Sequence, residues 1–258
     1  MVEFEFWWLL VIPFFFSLGW VSARIDIKQI ISESTDFPAA YFKSLHYLIT
    51  NRYDKATESL VDAVNANKNS IEMHFALGNL YRRTGKLDKA INLHMDLLEN
   101  KEMSANQIES VKAELAQDYF SAGLFDRSEE ILLSLKNENY NEYKLSTLLN
   151  IYVKEREWAK AIKIADKLEK VSGNSFSKET SHYYCEIALS LMISNSNIQA
   201  KKSLSQAIQK NKNCVRANIL YGDILESEGS LDEAIATWRN IEYQKPEYLG
   251  LVATKILN

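Results

Sequence analysis

The sequence predicts an all-α chain in two parts, an N-terminal transmembrane helix followed by a right-handed solenoid of helix pairs. Three observations carry this prediction. The first is an uncharged, strongly apolar run of 18 residues from Phe6 to Ala23. The second is a set of small, aromatic and glycine positions that recurs through the rest of the 258 residues with a period near 34. The third is composition: eight glycines and three prolines are too few for an all-β chain with a turn about every ten residues.

At roughly 1.5 Å per residue the run from Phe6 to Ala23 reaches about 27 Å, close to the ~30 Å hydrocarbon core of a bilayer. Trp7 and Trp8 at one end and Trp20 at the other stand where interfacial aromatics belong. A cleaved secretory signal would carry Lys or Arg ahead of its apolar run, whereas here Glu3 and Glu5 lead. Arg24 and Lys28 follow, so the positive-inside rule predicts a single pass with everything after the span in the cytoplasm. Pro13 predicts a kink, because it removes one backbone hydrogen bond and crowds the preceding turn. Residues 1–24 read as the anchor, 25–36 as a juxtamembrane linker of mixed polarity, and 37–258 as the repeat array.

The clearest copy of the repeat is Leu77-Gly78-Asn79-Leu80-Tyr81 followed by Gly85, Leu87 and Ala90. These are the positions of a tetratricopeptide repeat: a helix A, a tight turn and a helix B. Aligning the small residue of helix B gives Ala56, Ala90, Ser128, Ala161, Ala200 and Ala234, at intervals of 34, 38, 33, 39 and 34. The large residue of helix A reads Tyr47, Tyr81, Tyr119, Tyr152, Leu191 and Leu225. Near the start of helix B the apolar position reads Tyr53, Leu87, Phe125, Trp158, Asn197 and Leu231, so Asn197 marks repeat five as the weakest copy. Gly78, Gly85, Gly123, Gly222 and Gly229 fall where helices pack closest or turn. Asp36 and Pro38 read as cap and first turn of the first helix, and Pro246 follows the last helix B. The tail from Tyr248 to Leu257 looks like helix A of a partial seventh copy.

Such an array presents an inner groove lined by helix A and suited to peptides or proteins. Repeat phase places Asn79, Arg82 and Arg83 from repeat two, Glu114 and Gln117 from repeat three, and Asn150 and Lys154 from repeat four on this side. His182 and Glu186 from repeat five and Arg216, Asp223 and Glu226 from repeat six continue it. The clamp by which some tetratricopeptide proteins hold a chaperone's terminal carboxylate is not expected. The residue four before Asn79 is Phe75, and Glu114 stands where positive charge is needed.

Other chemistry is hard to find. The formal net charge of −4 supplies no surplus of basic residues for nucleic acid. Two cysteines, Cys185 and Cys214, exclude a four-cysteine zinc site and, lacking C-x-x-C spacing, read as small buried thiols. His46, His74, His94 and His182 are scattered, and His74 and His94 occupy phases that are normally apolar, so both read as core residues. No phosphate loop, dinucleotide fingerprint or nucleophile elbow occurs. Ser181-His182 and Cys185-Glu186 are adjacent pairs whose members point to different faces of one helix. The chain is therefore read as a binding protein and not as an enzyme.

An anchor, a short tether and these particular repeats together resemble the lipopolysaccharide assembly protein B family of Gram-negative bacteria. The match lies in Leu77-Gly78-Asn79-Leu80-Tyr81-Arg82 with Gly85, Asp88 to Ile91 and His94; in Asp118-Tyr119 with Ala122-Gly123-Leu124-Phe125-Asp126-Arg127; and in His182 with Tyr184-Cys185-Glu186 and Ala188-Leu189. The resemblance implies an inner-membrane adapter with a periplasmic N-terminus that regulates lipopolysaccharide synthesis. It would help a membrane AAA+ protease degrade the lipid A deacetylase of the committed step, and would answer to a lipopolysaccharide-sensing membrane protein. Family members continue into a C-terminal rubredoxin-like metal domain built on paired C-x-x-C motifs. This sequence holds no such pair and stops at Asn258, which implies either a shortened form or a fragment of a longer chain, with no cofactor in the part given. The alternative is a membrane-tethered scaffold for envelope assembly with no role in proteolysis.

Overall fold

The computed structural model describes residues 15–16, 38–68, 70–99 and 103–257. Apart from Phe15 and Phe16, the predicted anchor and linker lie outside these residues. Among the described residues no helix is long and apolar enough to cross a membrane.

The described chain is all-α. Helices A and B alternate as α1 (Ala39–Ile49), α2 (Tyr53–Ala66), α3 (Ile71–Arg83), α4 (Leu87–Leu98), α5 (Ala105–Ser121) and α6 (Phe125–Ser134). They continue as α7 (Asn141–Lys154), α8 (Trp158–Ser172), α9 (Ser177–Ile193), α10 (Asn197–Lys210), α11 (Val215–Ser227) and α12 (Leu231–Gln244). The chain divides into two compact units, Met1–Ala122 and Gly123–Asn258.

The six aligned residues of helix B, Ala56, Ala90, Ser128, Ala161, Ala200 and Ala234, are all 0% exposed. A small side chain there lets the backbones approach, and any larger one would have to displace close-packed neighbours. The large residue of helix A has a second role that its side chain does not reveal. Its carbonyl accepts the backbone N–H of the residue five places on: Arg52 to Tyr47, Lys86 to Tyr81, Glu157 to Tyr152 and Ser196 to Leu191 at 2.8 Å, and Ser230 to Leu225 at 2.9 Å. This is the bond that closes a helix C-terminus when the intervening residue is left-handed. That residue stands five before the small position in every repeat: Asn51, Gly85, Gly123, Arg156, Asn195 and Gly229, with φ from 55° to 82°. Three of the six turns thus close without glycine, and Arg156 takes the conformation against its Cβ.

Entry into the helices is less uniform. Ser104 and Gln107 form a reciprocal capping box on α5, and Ser70 accepts from the Met73 N–H on α3. The B helices carry no side-chain cap, because the tight turn delivers the chain straight into the first turn of helix. Pro38 precedes α1 as its cap residue and does not sit in the first turn, its carbonyl accepting the Tyr41 N–H at 2.8 Å; Asp36 is outside the described residues.

Two expectations are corrected. Repeat five is not weak: Cys185, Ala188, Ala200, Leu204 and Ala207 pack with Cys214, Ala217 and Ile224 into one buried cluster. Asn197 costs nothing because that position is merely the first, half-buried residue of helix B, and Leu231 in the same phase of repeat six is 58% exposed. The tail is not one helix. A 3₁₀ segment, Pro246–Leu251, is followed by the short α13, Ala253–Leu257; Pro246 at its start and Gly250 within it are both poor residues for a continuous α-helix. Val252 between them is fully buried against Val215, Leu225, Trp238 and Ile241.

Candidate partner-binding faces

In the first unit the candidates on α3 and α5 meet one another. The Arg82 guanidinium donates through Nη2 to Glu114 Oε2 at 2.7 Å and to Asn79 Oδ1, and through Nη1 to Asp118 Oδ1. Asp118, fully buried, also receives Nδ1 of the fully buried His94 at 2.5 Å from Oδ2. The His94 ring lies over Gly78, where a Cβ would come within 2.4 Å of Cε1. A single network therefore joins helix A of repeat two, helix B of repeat two and helix A of repeat three. The hydrogen bonds and charges of Glu114 and Asp118 raise the Arg82 pKa against the opposing effect of its burial. Asn79, Arg82 and Glu114 are thus engaged in packing two repeats together. Arg83 points elsewhere, its guanidinium 5.2 Å from the centre of the Tyr53 ring. Gln117 is half-buried on α5. His74 is buried as the sequence indicates, its Nδ1 2.7 Å from the Ser70 carbonyl.

In the second unit Asn150 and Lys154 are exposed on α7. Glu186 pairs with Arg216 at 2.7 Å, linking α9 to α11. Asp223 and Glu226 face the chain's own tail: Lys255 of α13 lies 2.6 Å from Asp223 and 4.0 Å from Glu226, and 5.3 Å from the centre of the Trp238 ring. The chain itself occupies that end of the face. Gly222 repeats the role of Gly78, since a Cβ there would meet Trp238 Nε1 at 2.1 Å. The indole N–H donates to the Ile219 carbonyl at 3.2 Å.

His182 and Arg216 come together in a pocket of about 530 Å³. Its basic side is Lys178, His182, Arg216 and Lys245; Val215, Ile219, Leu220, Tyr248 and Leu251 supply apolar wall, and among the described residues no carboxylate lines it. Sequence reasoning did not single out Lys178 and Lys245. Lys178 had a signal, standing four residues before His182 and so on the same helical face. Lys245 had none, because it reaches the pocket only through the turn that Pro246 makes after α12. Among the described residues no three His, Cys, Asp or Glu side chains group as a metal would require.

Residues 71–102 and 186–246 match the tetratricopeptide-repeat family. The chain is 30% identical to lipopolysaccharide assembly protein B of Escherichia coli (strain K12) over 243 residues, 93% of this chain and 62% of that protein. It is a tetratricopeptide-repeat relative of lipopolysaccharide assembly protein B. The protein of that name from Haemophilus influenzae is 31% identical over 260 residues, covering 97% of this chain and 65% of the relative. The chain thus spans a little under two thirds of the length of these two curated relatives. Among solved structures, a tetratricopeptide repeat protein from Parabacteroides merdae is 15% identical, covers 85% of this chain and 98% of its own, and superposes with a TM-score of 0.46.

Proposed function

We propose that this chain acts in the control of lipopolysaccharide synthesis, as an adapter at the bacterial inner membrane that brings the committed-step lipid A deacetylase to a membrane AAA+ protease. The identity of 30% over 93% of the chain to lipopolysaccharide assembly protein B of Escherichia coli carries this reading. The geometry agrees with it in kind. What stays open in the second unit is a pocket with a basic side and an apolar wall. A client segment bearing carboxylates between apolar side chains suits that lining, the charge steering encounter and the apolar wall supplying affinity. A single N-terminal span with the repeats on the cytoplasmic side would confine adapter, protease and client to one surface, raising their effective concentration without new contacts.

The test is the half-life of the deacetylase in cells that carry this chain, compared with cells that lack it. A longer half-life on removal is the expected result. An unchanged half-life, with the chain present and folded, would replace the adapter by a membrane-tethered scaffold that localises envelope proteins without delivering them to a protease.

A further inference from the structure

The chain's two cysteines come from different repeats and meet. Cys185 lies on α9, Cys214 is the residue that precedes α11, their sulfurs are 3.9 Å apart, and both side chains are buried. Four alanines, Ala188, Ala200, Ala207 and Ala217, share that cluster with Leu204 and Ile224, and the two sulfurs are the only polarisable, oxidisable atoms among its buried residues. The two thiols are also unlike each other. Cys214 forms part of the pocket wall beside Lys178, His182, Arg216 and Lys245 and sits at a helix N-terminus, a setting that favours a thiolate. Hydrogen bonds from Cys185, Ser181 and the Ala217 N–H pull its thiol below the usual cysteine range. Contact with the Cys214 sulfur and burial push the Cys185 thiol up, and Cys185 is absent from the pocket lining. One sulfur thus lies in the pocket wall and the other directly behind it.

The geometry points to a peroxide-driven disulfide between Cys214 and Cys185 that cross-links repeats five and six in the wall of the pocket. The oxidant is a small uncharged hydroperoxide, which the pocket admits. The Cys214 thiolate attacks one peroxide oxygen, the O–O bond breaks, and the departing hydroxide takes up the proton that Cys214 released, leaving as water. Cys214 is then a sulfenic acid. Cys185 sulfur attacks the Cys214 sulfur, the S–OH bond breaks, and the hydroxyl leaves with the Cys185 proton as a second water. Two thiols have lost two electrons, and one hydroperoxide has been reduced to two waters or to water and an alcohol. The sulfurs must close by about 2 Å to reach the ~2.05 Å of a disulfide. Cys214 caps α11, its carbonyl accepting the Ala217 and Asn218 N–H groups at 3.2 and 3.5 Å, so the closure falls to the two side chains and not to its backbone.

The reaction is independent of the adapter reading and is tested on the purified, reduced full chain. Hydrogen peroxide is added, free thiols are blocked, and peptides are mapped by mass without reduction. The expected product is a reducible peptide pair linking Cys185 to Cys214 within one chain, forming faster in the folded protein than in the urea-unfolded one. Cys185→Ser is expected to stop at a Cys214 sulfenic acid that dimedone traps, and Cys214→Ser to leave Cys185 reduced at the same dose. No intrachain link at doses that oxidise the unfolded chain, a link between chains instead, or oxidation of Cys185 in Cys214→Ser would overturn the proposal. Should either variant fail to fold, by its circular dichroism spectrum, the unsubstituted chain alone decides.

Discussion

Repeat two, where it meets repeat three, and repeat six, where it meets repeat five, use the same steric device between their own two helices and complete it differently. In each, a glycine of helix A faces a large ring four residues after the small position of helix B: Gly78 under His94, and Gly222 under Trp238. Each ring carries a polar nitrogen into a buried place, where an unpaired donor or acceptor is costly. Trp238 solves this inside its own repeat, donating to the Ile219 carbonyl. His94 solves it across repeats, through Asp118, which in turn needs Arg82. The first solution leaves polar side chains such as His182 and Lys178 open to the pocket; the second draws Arg82, Glu114 and Asn79 into the protein's own packing. A polar residue in the groove phase is therefore a binding candidate only where no buried polar ring nearby demands it.

The largest effect should come from breaking the cross-repeat network. Asp118→Ala leaves Arg82 short of its buried partner and His94 with neither ring nitrogen paired, since Nε2 already has no partner. Removing one member of a buried ion pair costs about 3–5 kcal/mol, read as a lowered urea midpoint. A loss below about 1 kcal/mol would mean that the network is decoration and that Arg82 and Glu114 are again open to a partner. Next in size is the shared device itself. Gly78→Ala and Gly222→Ala each force a Cβ into a ring, an overpacking worth about 1–3 kcal/mol. The two losses should be similar. A markedly smaller one at Gly78 would show that the imidazole, held only at Nδ1, swings aside as the indole cannot.

A third prediction takes the turns out of the comparison. Repeats two and six both close on glycine, Gly85 and Gly229, whereas repeat four between them closes on Arg156 at φ 59°. Arg156→Gly should raise stability by about 1 kcal/mol by removing the left-handed penalty, seen as a higher thermal midpoint. No gain would show that the arginine side chain returns what its backbone loses.

These differences mark what could be read from the sequence. The six small residues and the large helix A residues were legible because each repeat imposes the same local requirement, and six copies overdetermine the phase. The left-handed turns were half legible: glycine announces them at Gly85, Gly123 and Gly229, but Asn51, Arg156 and Asn195 are fixed only by their offset from the small residue. The partners of Arg82 were not legible, because phase says which face a charge is on and not which charge more than thirty residues away it meets. The same limit hid the Lys255 contacts with Asp223 and Glu226, made by a tail whose 3₁₀ turn the helix pattern did not contain.

The smallest stability effect should fall on the open side of the comparison, and it separates surface from packing most directly. Lys178 and Lys245 line the pocket from exposed positions on α9 and just after α12. Replacing both with alanine should change folding stability by no more than about 0.5 kcal/mol, because exposed charges away from buried networks contribute little. Binding of an acidic client segment should respond more strongly. Affinity should fall, and so should its dependence on salt, since long-range attraction to the lining is what salt screens. Arg216→Ala is the internal control. Its guanidinium already pairs with Glu186, so its loss frees a carboxylate beside the pocket and should weaken an anionic client further than removing one lysine does. If the lysine pair and Arg216 can all be replaced without effect on binding, clients engage some other face, and the open junction is as closed to partners as the buried one.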